Sequence, residues 1–500
     1  MMPRVRSLLI TLLCGSLSIV AAAQQRNNHA VLQGNPAYEY GSLLSFANSN
    51  PAELGSAPLF GGECSAAISD TAGNLLFSTI NGIFYDRFGG VMDQGEVPMG
   101  FPMDVTQSCL IFPRPAHPSV YDVLYIRDSP YTAALVRSSW ITVDMDLNGG
   151  LGAVTDNLIY GYNFTEKLTG TPHGNGEDYW AVMHEWGTNT FWAYLINEAG
   201  LDTLPVASNA GSPHTAAYGV CDADMNYQGE MKISNAGDRL ALCTTNNACM
   251  PPLDDPPPSI VQLFHFDDQT GEVIYWMNLP GHHMSYGLDF SVDGSKLYVA
   301  GSDTVVHYVD QYDLNAGDTV DIAASRTRIF GAIYWLITSQ RPNAMAFAPD
   351  GRLYVAHWGT SLDAIMAPDA PGTECGYTEA FFLVSAPEPH FGSHWNQLKR
   401  YHDSEYKRPS TVGIPSITQR PGFTAWPNPT ASLLQISLPQ DLASPGIRIL
   451  DTIGRTVYEP GQQAVRAGTI DVSGLANGLY TVSLLDGGQV LGATRLVVQH

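Results

Sequence analysis

The chain has 500 residues, with 24 Lys and Arg against 48 Asp and Glu, a net charge of −24. Acidity of that degree repels phosphate backbones and argues against nucleic acid as a partner. Only 14% of residues are charged, while 48 Gly, 33 Pro and 10% aromatics favour short strands and tight turns, the make-up of an all-β protein.

The chain opens with Arg4 and Arg6, an apolar run from Leu8 to Val20, and Ala21-Ala22-Ala23. A basic start, a short apolar core and small residues at the end read as a signal peptide over residues 1–23. The run is shorter than the ~20 apolar residues a spanning helix needs. Leu13 is too bulky for a lipid-modified Cys14. No later stretch is apolar enough to span a bilayer, so no transmembrane segment is expected in the mature chain. Losing Arg4 and Arg6 takes the charge from −24 to −26. Six cysteines then remain: Cys64, Cys109, Cys221, Cys243, Cys249 and Cys375. An even number in an exported chain predicts disulfides, and Cys243 with Cys249 could close one short loop.

Between Gln24 and Trp395 one unit recurs. Its clearest copies are Phe290-Ser291-Val292-Asp293-Gly294-Ser295-Lys296-Leu297-Tyr298-Val299 and Phe347-Ala348-Pro349-Asp350-Gly351-Arg352-Leu353-Tyr354-Val355. Earlier copies run through Ile233 to Leu242 and Ile68 to Phe77, with weaker ones near Gly176 and Ser119. Each is a strand, a turn with Asp/Asn-Gly chemistry and a second strand. Gly237, Gly294 and Gly351 stand 57 residues apart, and a third strand follows most hairpins. An all-β unit of 40–60 residues repeated about six times predicts a β-propeller, because a lone sheet cannot bury its own apolar face. Six or seven blades both fit, with the strand-like Tyr38 to Phe46 as the outer strand that closes the ring on the last blade. The propeller is expected over residues 24–395 and a Pro-, Ser- and Lys-containing linker over 396–422. The segment 250–258 reads as an exposed blade insertion.

The last segment, 423–500, opens Trp426-Pro427-Asn428-Pro429. It continues with Asp451, Gly454-Arg455-Thr456-Val457-Tyr458 and Leu475-Ala476-Asn477-Gly478-Leu479-Tyr480, and ends near Leu496-Val497-Val498. Short alternating strands with Gly and Asn turns predict a small C-terminal β-sandwich. The order of these motifs resembles the C-terminal sorting domain of the type IX secretion system of Bacteroidetes. That resemblance implies export across the outer membrane and contact with the secretion machinery, ending in release or surface anchoring. The Asp-Gly-x-x-Leu-Tyr-Val hairpins of the middle region resemble YVTN and WD-repeat-like propellers. With Gly62 to Phe77 and His173 to Trp180, the chain looks like secreted Bacteroidetes proteins that join such a propeller to a sorting domain, which implies a fold and a location but no activity.

Candidate chemistry is sparse. Asp144, Asp146 and Asn148 place oxygens at alternate positions before Gly149, as in the first half of a calcium loop, but position twelve is Thr155. A polar hairpin turn explains the same residues. Asp222 and Asp224 alternate similarly. No cofactor is assigned, and calcium is the single candidate, at Asp144, Asp146 and Asn148. Histidines fall on different repeats, and His173, His214 and His283 are expected near one mouth of the channel, where a metal could be held. Capping and packing roles explain lone histidines equally well. Adjacent carboxylates such as Glu177-Asp178 point to opposite faces of a strand and do not form an acid–base pair. Trp180, Trp186, Trp192, Trp276, Trp335 and Trp358 are expected mostly to fill the spaces between blades, with stacking on sugar rings the alternative for exposed ones. No nucleophile elbow, P-loop or dinucleotide fingerprint occurs. The expected function is non-catalytic binding of an extracellular protein or glycan. The alternative is a propeller enzyme, a lactonase, lyase or glycoside-active protein with a metal in its channel.

Overall fold

The computed structural model describes residues 25–27, 29–32, 40–46, 51–58, 65–97, 105–126, 137–215, 226–245, 259–303, 305–333, 342–357, 361–383, 423–438, 442, 444–450, 455–486 and 489–500. The expected signal peptide, the linker, Cys64, Cys221, Cys249, the 250–258 segment, Asp222, Asp224, Trp335 and Trp358 lie outside them. The chain divides into two units, Met1–Lys407 and Arg408–His500.

The first unit is all-β apart from short helices such as Thr319–Ala324, whose first turn is capped by the Asp318 carboxylate. Among the described residues its strands form six sheets, one of them an eight-stranded sheet made of two antiparallel four-stranded halves, which gives seven successive antiparallel blades. Blades two to seven begin with Ser65–Ser69, Cys109–Pro113, Phe164–Pro172, Met231–Ile233, Leu288–Phe290 and Pro342–Phe347. Each of these strands touches the next in that order, so they line an axis. They are buried along nearly their whole length, whereas the outer strand Val91–Glu96 leaves four of its six residues exposed. A single parallel pairing, Asp93 with Ala153, joins the outer edges of blades two and three.

The expected hairpins are where the glycine spacing puts them. Gly237, Gly294 and Gly351 take φ of +78°, +73° and +85°, which only Gly adopts without steric cost. In each, the glycine N–H donates to the carbonyl three residues back, on Ser234, Ser291 and Ala348.

Ring closure differs from the expectation. Tyr40–Ser45 is not an outer strand of the last blade but the middle strand of its own sheet, between His29–Leu32 and Ala52–Pro58. Ala30, Leu44 and Phe46 pack with Ala344, Ala346, Tyr354 and Ala364 of blade seven, and Leu43 packs against Ala67 and Tyr85 of blade two. Apolar side chains on both sheet faces therefore seat this strand between two blades, as blade one. The ring is a β-propeller.

The cysteine expectation also changes. Cys109, Cys243 and Cys375 are buried thiols. The Cys243 Sγ donates to the Tyr286 carbonyl at 3.0 Å, so no loop to Cys249 is closed. Burial pushes the Cys243 thiol up to about 12, against the pull of Lys167. These residues serve as small core side chains.

The second unit is a β-sandwich. One sheet holds Thr424–Trp426, Leu433–Ser437 and Thr469–Asp471, the other Thr456–Tyr458, Pro445–Leu450, Gly478–Asp486 and Gln489–Val498. Alternate residues of both, among them Leu434, Ile436, Ile470, Ile447, Ile449, Val482, Leu484 and Leu496, meet in one core. Among the described residues no helix is long and apolar enough to cross a membrane.

Candidate binding site

The expected channel histidines do not converge. His173 follows the end of Phe164–Pro172, in the hairpin turn, where its ring stacks on Trp180 and its Nδ1 accepts from the Asn175 N–H at 2.9 Å. His214 lies at the other end of the same blade. Its ring stacks on His184, centroids 3.9 Å apart, and Gly187 N–H donates to its carbonyl. The hairpin turns sit at the far end of the inner strands from the segments that connect blades, so residues near a turn and residues near a connection cannot share a mouth. His283 is half-buried, and Tyr308 Oη donates to its carbonyl at 2.9 Å. Among the described residues no group of three His, Cys, Asp or Glu side chains is placed to hold a metal.

The Asp144 loop is a turn closed by its own bonds. Asp144 Oδ1 accepts from the Asp146 N–H, Asp146 Oδ2 accepts from Ser119 Oγ, and Asn148 Nδ2 donates to the Gly152 carbonyl. Of the tryptophans expected between blades, Trp180 is buried and donates to the Asp268 carbonyl of the next blade, whereas Trp276 is half-buried under His265.

Sequence reasoning missed a buried polar cluster at the axis. Glu230, just before the inner strand of blade five, accepts through one oxygen from Leu288 N–H of blade six at 3.0 Å and Met345 N–H of blade seven at 3.1 Å. Its other oxygen lies 3.2 Å from Lys232 Nζ. Gln107 of blade three binds both backbone groups of Met231, at 2.7 and 3.0 Å. Glu166 of blade four accepts from Thr106 N–H and Oγ1. Lys167 is fully buried and donates to the Tyr227 and Gln228 carbonyls. Burial lowers its ammonium to about 8, with Cys243 and Glu166 pulling the other way. These groups satisfy backbone that no ladder reaches, and so tie blades three to seven together. Their sequence contexts carry no motif. Glu166 and Lys167 are the two charged residues of a strand that otherwise holds Phe, Leu, Thr, Gly and Pro.

A second feature lies away from the axis. Val206–Asn209 forms an edge of blade four, Val273–Asn278 the outer strand of blade five, and the two are pinned where Val273 N–H donates to Ser208 Oγ at 2.9 Å. Between them is a cavity of about 440 Å³, walled by Asn209, Ser212, Gln262, Glu272, Ile274 and Tyr275. Gln262 is 3% exposed, and its amide is locked by Ser212, whose N–H donates to Oε1 at 3.0 Å and whose Oγ accepts from Nε2 at 3.1 Å. A bulge opposite Leu263 and Phe264 re-aims the outer strand, leaving Ile274 50% and Tyr275 44% exposed. Tyr275 is braced edge-on against Phe264, centroids 5.9 Å apart.

Gly211 forms the cavity floor at φ +73°, and a Cβ there would stand 2.7 Å from Gln262 Oε1 and 2.8 Å from the Phe264 ring. Gly211→Ala is expected to cost about 1–3 kcal/mol of stability through strain and crowding. A urea-unfolding midpoint equal to that of the parent chain would contradict this.

No curated protein matches the sequence. Among solved structures, the chain is similar to a putative 6-phosphogluconolactonase from Bacteroides uniformis, at 13% identity and TM-score 0.43, covering 73% of this chain and 98% of that one. It is also similar to the β-propeller domain of a Myceliophteria thermophila protein, at 9% identity and TM-score 0.36, covering 66% and 93%. TolB from Acinetobacter baumannii gives 12% and 0.33, covering 70% and 62%. Likeness this distant says nothing of activity. The C-terminal unit is another matter: residues 424–499 match the secretion system C-terminal sorting domain, so the sandwich is a segment that directs export to the cell surface or beyond.

Proposed function

We propose that this chain is an extracellular β-propeller that binds a protein or glycan ligand without transforming it. In this reading the type IX machinery delivers it through residues 423–500, after residues 1–23 have carried it to the periplasm. The match of residues 424–499 to the sorting domain supports the route. The axial cluster supports binding over catalysis. Glu230, Glu166 and Lys167 already spend their hydrogen-bonding capacity on backbone groups, on Thr106 and on Lys232, and a group so committed is poorly placed to move a substrate proton. Ligand contact then falls to the rim and the spaces between blades.

In a host with a type IX system, deleting residues 423–500 is expected to leave the propeller in the periplasm, with none on the surface or in the medium by immunoblot of the fractions. Equal export of the truncated chain would defeat the proposed route. For the activity, the purified mature chain is expected to bind members of an array of immobilised glycans and extracellular proteins. Turnover of sugar lactones or glycosides by the same preparation would replace binding with catalysis.

A further inference from the structure

We infer that the cavity between blades four and five is a sugar subsite, selective for neutral or amino-bearing pyranose rings. This rests on the binding reading above and gives it a place and a ligand class.

The volume of about 440 Å³ lies within the roughly 300–1,000 Å³ typical of small-molecule sites. Its lining divides in the way a sugar ring requires. Pyranoses present a patch of C–H groups on one face and hydroxyls around the edge. Tyr275 and Ile274 give an apolar wall, and the Tyr275 ring rests edge-on against Phe264, which reduces the side-chain entropy lost when a ring stacks on it. The hydroxyl partners stand on the other surfaces. The Gln262 amide is buried on the floor and fixed in one orientation by two bonds to Ser212, with its second Nε2 hydrogen uncommitted among the described residues. Asn209 is oriented by Thr190 Oγ1, which donates to its Oδ1 at 2.9 Å. That leaves the Asn209 amide nitrogen as a donor on the cavity lining. Glu272 adds a carboxylate acceptor on the blade-five wall.

Charge decides which sugars fit. The wall holds one carboxylate and neither Lys nor Arg, and the chain as a whole carries −24. Sulfated, phosphorylated and sialylated rings meet repulsion without a compensating cation, whereas hydroxyls and an ammonium are satisfied by Glu272.

The test uses the mature chain on an array of immobilised neutral, amino-sugar and anionic (sialylated and sulfated) oligosaccharides, followed by titration with the best-bound free oligosaccharide. Binding is expected on the neutral and amino-sugar sets. Tyr275→Ala should weaken it about tenfold or more, and Tyr275→Phe should restore it. Glu272→Gln should weaken amino sugars more than neutral ones. Phe88→Ala, at an exposed residue of blade two, should change nothing. Circular dichroism melts establish that each variant is folded. Glycan binding that survives Tyr275→Ala overturns the subsite and leaves the wider binding reading intact. Preference for the anionic set, or no glycan binding by the parent chain, also overturns it, and in the latter case the protein half of the array decides whether the wider reading survives.

Discussion

Glu230→Ala is expected to be among the most destabilising single changes in the propeller, at about 4–6 kcal/mol. The estimate follows from what one carboxylate holds. Its loss leaves the Leu288 and Met345 N–H groups buried without acceptors and strands the Lys232 ammonium, which is only 9% exposed. An orphaned buried donor costs about 1–3 kcal/mol, and breaking a buried ion pair about 3–5, with overlap between the two because they share one residue. Glu230→Gln keeps an oxygen for the two amides but no charge for Lys232, so about 1–3 kcal/mol is expected. Urea unfolding followed by tryptophan fluorescence reads the difference directly, since eight of the nine tryptophans precede residue 408. An alanine variant that unfolds at the parent midpoint would mean that the axial bonds do not hold the ring.

The second large effect is acid sensitivity. His184, His214 and His282 are fully buried, and burial lowers all three, His184 to about 3 and the other two well below the usual imidazole value. Lys167 adds repulsion at His184 and His214, and Arg326, Arg328 and His283 at His282. The ring nitrogens of His214 and the Nδ1 of His184 have no hydrogen-bond partner among the described residues, and only a backbone bond at Glu185 pulls His184 the other way, too weakly to offset burial. The folded state therefore refuses protons that the unfolded chain accepts below about pH 6.5. Stability is flat above that pH and falls as pH drops toward the folded-state values, by roughly 1.4 kcal/mol per unit for each histidine. From pH 8 to pH 5 the three together should cost about 6 kcal/mol. The His184→Gln/His214→Leu double variant should keep only about a third of that slope. A parent chain equally stable at pH 8 and pH 5 would contradict the burial of these rings as neutral groups.

How much of this could be read from the residues depends on the distance over which each feature is decided. Hairpin turns are local. A Gly that must take positive φ between two strands announces itself in four or five residues, and three such glycines at equal spacing announce a repeat. The sorting domain is local in the same sense, because its turns and strands are contiguous and its core is built from alternation within 77 residues, Thr424 to His500. Strand pairing at the N-terminus was less accessible. Tyr40–Ser45 reads as a strand from its own residues, but its partners were chosen by Phe46 reaching Tyr354, more than 300 positions away in the chain.

The places of His173 and His214, and the free thiol of Cys243, depart from the expectation for a related reason. A propeller places the hairpin turn and the connection between blades at opposite ends of the same strand. His173 and His214, read as belonging to different repeats, therefore stand at opposite ends of one blade, and being six residues apart from Cys249 does not take Cys243 from its own buried place as a free thiol. Composition and periodicity determined that the chain forms a ring of sheets followed by a small β-sandwich, and the resemblance of the sandwich's motif order to a sorting domain implied its role in export. Only the closed ring decided that Glu230 would face two other blades, and that Asn209 and Tyr275, 66 positions apart, would share a cavity. Local sequence sets which face of a strand a side chain leaves by, but what it meets there belongs to another blade, and that is settled when the sheets pack.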